Sequence, residues 1–92
     1  MESASVKIKV YGRVKGIGYR AFARAQAKRL DINGYALNLP DENAVEIDVE
    51  GEKARLEEFI SRLKSGPPLS MITKIETDWS AFRGRYLDFS IH

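Results

Sequence analysis

The chain contains no cysteine and a single histidine, His92. Without cysteine there are no disulfides, no thiol nucleophile and no Cys-based metal site. One histidine at position 92 reads as a solvated end. It leaves no base for a Ser-His-Asp arrangement and no His-rich metal site. No apolar run approaches the ~20 residues that span a bilayer. Met1-Glu2-Ser3-Ala4-Ser5 lacks the basic and apolar pattern of a signal peptide. These absences point to a cytoplasmic protein.

What is present suits a globular chain: 92 residues, 43% apolar and 30% charged, enough for one core and too little for a second. The expectation is one domain over 1–92, with 1–5 as a flexible N-terminus. The net charge of +2 conceals an asymmetry. Residues 1–30 hold eight Lys and Arg against one acid, and residues 31–92 hold seven against twelve. Two readings stand: a local positive field that steers an anion, or opposite charges that pair across the fold.

Val6-Lys7-Ile8-Lys9-Val10-Tyr11 alternates strictly and predicts a half-buried strand. Tyr19 to Leu30 predicts a helix, with Phe22, Ala23, Gln26, Ala27 and Leu30 at helical spacing. Asp31-Ile32-Asn33-Gly34 stops it, with Asn and Gly as breakers. Tyr35–Leu39 and Val45–Glu50 predict a hairpin around the turn Pro40-Asp41-Glu42-Asn43. Glu52–Lys64 is a second amphipathic helix, with acids near its start, ended by Ser65-Gly66-Pro67-Pro68. Ile72–Trp79 and the short Leu87–Ile91 complete the strands. The order β-α-β, β-α-β with an extra strand predicts an α+β, ferredoxin-like split βαβ sandwich. Two helices pack on one face of a mainly antiparallel sheet of four to five strands.

The most telling segment is Gly12-Arg13-Val14-Lys15-Gly16-Ile17-Gly18-Tyr19-Arg20, a strand-to-helix turn with three glycines and an arginine. Glycines let successive N–H groups curl into one concavity, and a helix N-terminus adds partial positive charge there. Arg20 adds a fork that matches phosphate oxygens. The dull alternative is a glycine turn that merely reverses the chain. Gly16-Ile17-Gly18-Tyr19-Arg20-Ala21 also fits the dinucleotide fingerprint G-x-G-x-x-G/A. That reading fails, because a dinucleotide fold needs several strands buried on both faces and these strands alternate. A Walker A loop fails too, for no Gly-Lys-Ser/Thr follows. Asn38 has two readings: a turn-starting residue before Leu-Pro-Asp, or an amide that faces the same concavity and orients a water. Asp41 and Glu42 read as exposed turn acids, and Trp79 and Phe89 as core or rim residues.

The glycine segment resembles the G-x-V-x-G-V-G-[FY]-R signature of acylphosphatases. Gly34-Tyr35-Ala36-Leu37-Asn38-Leu39-Pro40-Asp41 is similar to that family's second signature, G-[WY]-x-x-N-x-x-D. Gly51, Gly66-Pro67-Pro68 and Asp88-Phe89 also match, so the resemblance runs from about Val6 to Ile91. It implies hydrolysis of acyl phosphates to a carboxylate and inorganic phosphate, without metal or cofactor. It implies that Arg20 binds the phosphoryl group with the loop N–H groups of Lys15, Gly16, Ile17, Gly18 and Tyr19, and that Asn38 positions the attacking water. The expected partners are a small-molecule acyl phosphate and product phosphate, with no nucleic acid and no membrane, for a monomer. Leu37 departs from the long polar residue of many relatives, and the turn 40–44 lacks the usual glycine and is one residue longer. The rival reading is a non-enzymatic phosphate- or nucleic-acid-binding module on the same fold. Against nucleic acid stand Glu46, Asp48 and Glu50 on the polar face of the third strand.

Overall fold

Seven elements follow one another in the order read from the sequence, in a computed structural model that describes residues 2–92. They are β1 (Ser3–Arg13), α1 (Tyr19–Arg29), β2 (Asn33–Leu39), β3 (Ala44–Glu52), α2 (Lys53–Ser65), β4 (Met71–Ala81) and β5 (Phe89–Ile91). The strands form one sheet in the order β4-β1-β3-β2-β5. Its pairs are antiparallel except β2 with β5, which is parallel. This is the α+β ferredoxin-like arrangement expected.

Alternation decides which face is dry. Val6, Ile8 and Val10 of β1 pair with Val49, Ile47 and Val45 of β3, and all six are fully buried. Against them lie Ala23 and Ala27 of α1, and Leu56, Phe59 and Leu63 of α2. The alanines let α1 approach the sheet closely, and each large side chain of α2 contributes about 1.5–3 kcal/mol of burial. The opposite face carries Lys7, Lys9, Tyr35, Glu46, Asp48 and Glu50 at the alternate register positions.

Several details differ from expectation, among them that β3 and β4 run longer than read, as Ala44–Glu52 and Met71–Ala81. β1 begins at Ser3, paired with Glu52, and Ser5 is buried. Residues 3–5 are therefore strand rather than a flexible N-terminus, while Met1 lies outside the described residues. α1 does not stop on Asn33 and Gly34. The left-handed residue is Asp31 (φ 56), and Asn33 and Gly34 open β2. Gly34 is required for approach, since a Cβ there would lie 1.9 Å from the Asp48 carbonyl oxygen. α2 has no acid in its first turn; Glu52 precedes it as N-cap. Finally, β5 is shorter than read, because Tyr86 to Asp88 form the approach to it rather than part of it.

Candidate active site

Two chain segments meet at one end of the sheet. β1 is irregular between Tyr11 and Gly12, and the Gly12 N–H donates to the Asn43 carbonyl at 3.0 Å. The chain then leaves the sheet through Val14 to Gly18 and enters α1. Gly16 (φ 73) and Gly18 (φ 79) both adopt the left-handed conformation, which glycine reaches without a Cβ penalty. Gly18 is the N-cap, and its carbonyl accepts the Phe22 N–H at 2.9 Å. The helical ladder starts there, so the N–H groups of Tyr19, Arg20 and Ala21 have no acceptor within the helix. No acid sits in the first turn of α1, while Lys28 and Arg29 occupy the last. The helix therefore keeps its positive end toward the loop and has its negative end compensated.

The second segment is β2. Asn38 pairs with Val45, which in turn pairs with Val10, so Asn38 lies on the helix side of the sheet. Leu37 pairs with Glu46 and belongs to the other face. Its departure from the family pattern therefore falls away from the site. Asn38 lines a pocket of about 180 Å³ together with Gly16, Gly18 and Arg20, closed by Val14, Tyr19, Ala21 and Ile91. Asn38 thus borders the same concavity as the glycine loop.

Within this pocket the side chains divide their tasks. Tyr19 is buried, and its hydroxyl donates to the Leu63 carbonyl at 2.8 Å, which anchors the start of α1 on α2. Burial pushes its phenol far above the ordinary value. Tyr19 therefore offers the site its backbone N–H and not its hydroxyl. Arg20 is half-buried as a residue, and its guanidinium donates to the His92 carbonyl at the exposed rim. Ile17 turns inward and packs against the core. The Lys15 side chain turns away from the pocket, and its ammonium donates to the carbonyls of Leu39 and Glu42. Of the loop residues proposed from sequence, Gly16, Gly18, Tyr19 and Arg20 line the pocket, whereas Lys15 and Ile17 bound the loop without lining it. Ile91 and the Lys15 contacts were not readable from sequence, because both depend on pairings across the fold. Among the described residues, no three His, Asp or Glu gather in a metal-binding cluster.

The glycine loop, the N-terminus of α1 and Arg20 border one small concavity with Asn38 beside them, an arrangement whose chemistry suits a small anion. A family model described as Acylphosphatase matches residues 6–91. The curated acylphosphatase of Dehalococcoides mccartyi is 44% identical over 86 residues, covering 94% of each chain. That of Thermus thermophilus is 48% identical over 75 residues, covering 82% of this chain and 84% of the other. The crystal structure of acylphosphatase from Bacillus subtilis matches with a TM-score of 0.92 at 34% identity, covering 97% of this chain and 98% of that one.

Proposed function

The chain belongs to the acylphosphatase family, and from that premise we propose how its site works. It is a hydrolase that cleaves the carboxyl-phosphate bond of acyl phosphates, giving a carboxylate and inorganic phosphate. The phosphoryl group lies in the loop, its oxygens bonded by N–H groups of Lys15 to Tyr19 and by the Arg20 guanidinium. Phosphoryl transfer asks for positioning and charge stabilisation more than covalent help. Donors fixed before the substrate arrives stabilise charge on the equatorial oxygens without rearranging. The Asn38 amide holds a water opposite the leaving carboxylate. As the water oxygen bonds to phosphorus, the P–O bond to the acyl group breaks. The carboxylate departs with its electron pair, and the water proton passes to a phosphoryl oxygen. A carboxylate leaves readily, so no strong protein acid is needed.

The observation that carries this reading is the single pocket lined jointly by Gly16, Gly18, Arg20 and Asn38. Every group named lies on one chain, which suits a monomer, and none needs a metal. The reading places the enzyme in the cytoplasm, where small acyl phosphates are soluble substrates. The test is turnover of benzoyl phosphate by purified protein with EDTA present, with size-exclusion chromatography for the monomer. Turnover should persist with chelator and collapse in Arg20→Ala and Asn38→Ala. Wild-type turnover in either variant would remove that residue from the mechanism.

A further inference from the structure

The two halves of the site are not neighbours in the sheet. The loop leaves β1, Asn38 sits on β2, and β3 lies between them. Two ladder spacings, roughly 10 Å, therefore separate their strands. The ladders hold Asn38, opposite Val45, but not the loop. β1 pairs with β3 as far as Tyr11 opposite Ala44, and β2 pairs with β3 as far as Leu39 opposite Ala44. Beyond Tyr11 the β1–β3 ladder no longer sets where the loop lies relative to the end of β2. What spans the gap is a set of cross-ties onto residues 39–43. The Gly12 N–H reaches the Asn43 carbonyl. From within the loop, the half-buried Lys15 ammonium reaches the carbonyls of Leu39 and Glu42. Leu39 directly follows Asn38 in the chain.

We propose that Lys15 is a positioning residue for the reaction: its side chain ties the phosphate loop to the strand end carrying Asn38 and fixes the separation of the two. This rests on the reading of Arg20 and Asn38 given above. An ammonium suits the task. It has three donors and no acceptor, so it can hold two carbonyls that converge from different parts of the turn. Its four-carbon stem lets a residue within the loop, beyond the backbone bond at Gly12, reach the same turn. Within the turn one backbone bond closes the chain on itself, from the Glu42 N–H to the Leu39 carbonyl at 3.3 Å, and that same carbonyl is one of the two that Lys15 holds. The role differs from charge attraction. A cation that merely draws phosphate would strengthen ground-state binding. A tie that sets the distance between phosphorus and water acts when the two react, where misplacement by an ångström costs up to about 100-fold.

The experiment is steady-state hydrolysis of benzoyl phosphate at ~0.15 M salt, with inhibition by inorganic phosphate as the measure of loop binding. Lys15→Met, which keeps the length of the stem, should lower kcat about tenfold while the phosphate inhibition constant changes less than about threefold. Lys15→Arg, which keeps a cationic donor of similar reach, should restore kcat to within about threefold of the wild type. In an Asn38→Ala background, Lys15→Met should lower kcat by less than about twofold more, because the partner it positions is gone. Thermal melts establish that each variant is folded at the assay temperature. If Lys15→Met does not fold, Lys15→Gln, whose amide stops short of the two carbonyls, carries the same expectations. The proposal is overturned by an unchanged kcat with weakened phosphate inhibition, which is attraction alone. It is equally overturned by a full tenfold loss in the Asn38→Ala background, which is a general loosening of the fold. Wild-type kcat in Asn38→Ala itself would instead overturn the site reading, and the two failures are told apart by that single variant.

Discussion

Arg20 and Arg85 lie on opposite sides of the sheet and spend their charge differently. Arg85 sits on the face that the helices leave open. Its guanidinium donates to Ser5 Oγ at 2.8 Å and Asp48 Oδ1 at 3.2 Å, and its Nε to Glu50 Oε2 at 3.3 Å. The backbone N–H groups of Arg83 and Arg85 close on the same Glu50 carboxylate at 2.9 and 2.7 Å. Those two acids are nearly inaccessible, so the arginine is consumed in neutralising them and in strapping the Phe82–Leu87 segment to the sheet. Arg20 meets a backbone carbonyl instead, beside a helix N-terminus with no acid in its first turn. A guanidinium already matched by carboxylates is part of the fold, whereas one surrounded by further donors retains attraction for an anion. The difference lies in the partners, since the residue type is the same.

The sharpest way to break this division is to delete each arginine in turn. Arg20→Ala should reduce kcat/KM for benzoyl phosphate by roughly 10³-fold or more, as expected for the cation on a transferring phosphoryl group. Its melting temperature should change little. Asn38→Ala comes next: if the amide positions the reacting water as proposed, kcat should fall about 10²-fold with KM nearly constant. Arg85→Ala should do the reverse. It leaves two buried carboxylates without their counter-charge, which is destabilising. Because the Arg85 side chain is itself 35% exposed, water compensates in part, and a loss of about 1–3 kcal/mol is expected. That corresponds to a drop in Tm of several degrees in a chain of this size. Turnover of the folded fraction should be unchanged. A loss of turnover in folded Arg85→Ala as large as that in Arg20→Ala would end the distinction between the two faces.

The two faces were also unequally legible. Val6–Tyr11 and Val45–Glu50 announce themselves because each must present one dry side, and the alternation survives in the register between them. Their ends were not readable, since Ser3 to Ser5 and Gly51 to Glu52 are strand only because each finds the other. The glycine loop and Arg20 could be read locally, because the conformations of Gly16 and Gly18 and the start of α1 lie within one short stretch. Asn38 needed the family resemblance: one asparagine before a proline turn has no signature of its own, and its facing is set by a pairing with Val45. The Arg85 strap was invisible. Its partners at Ser5, Asp48 and Glu50 are 80, 37 and 35 residues away, and nothing in Phe82-Arg83-Gly84-Arg85 distinguishes it from a solvated basic loop. The same long separation hid the contact of Lys15 with Leu39 and Glu42.

The smallest expected effect sharpens the comparison in the pH dimension. Burial pushes the Glu50 carboxyl upward, but the N–H groups of Arg83 and Arg85 and the Arg85 guanidinium outweigh it and hold the group below its ordinary value of 4.5. In the unfolded chain these donors are gone and the ordinary value returns. The folded state therefore binds the proton less readily than the unfolded state. The stability this group contributes is fully present above the unfolded value and is lost as pH falls through the folded one. Wild-type protein should accordingly lose Tm as the pH is taken from about 6 to about 3. Glu50→Gln should be less stable near neutrality, with the gap to the wild type narrowing through the same acid range. Melts recorded on both proteins across that range decide it, since other carboxylates contribute to both curves and cancel in the difference. A gap that stays constant or widens toward acid would mean that the strap does not depend on the Glu50 charge. The site end should show none of this dependence near neutrality, because what the proposed reaction uses there is backbone N–H groups, a guanidinium and an amide, with no carboxylate among them. With benzoyl phosphate, a steep change in kcat there, not traceable to the substrate, would require a titrating group that the pocket of Gly16, Gly18, Arg20 and Asn38 does not contain.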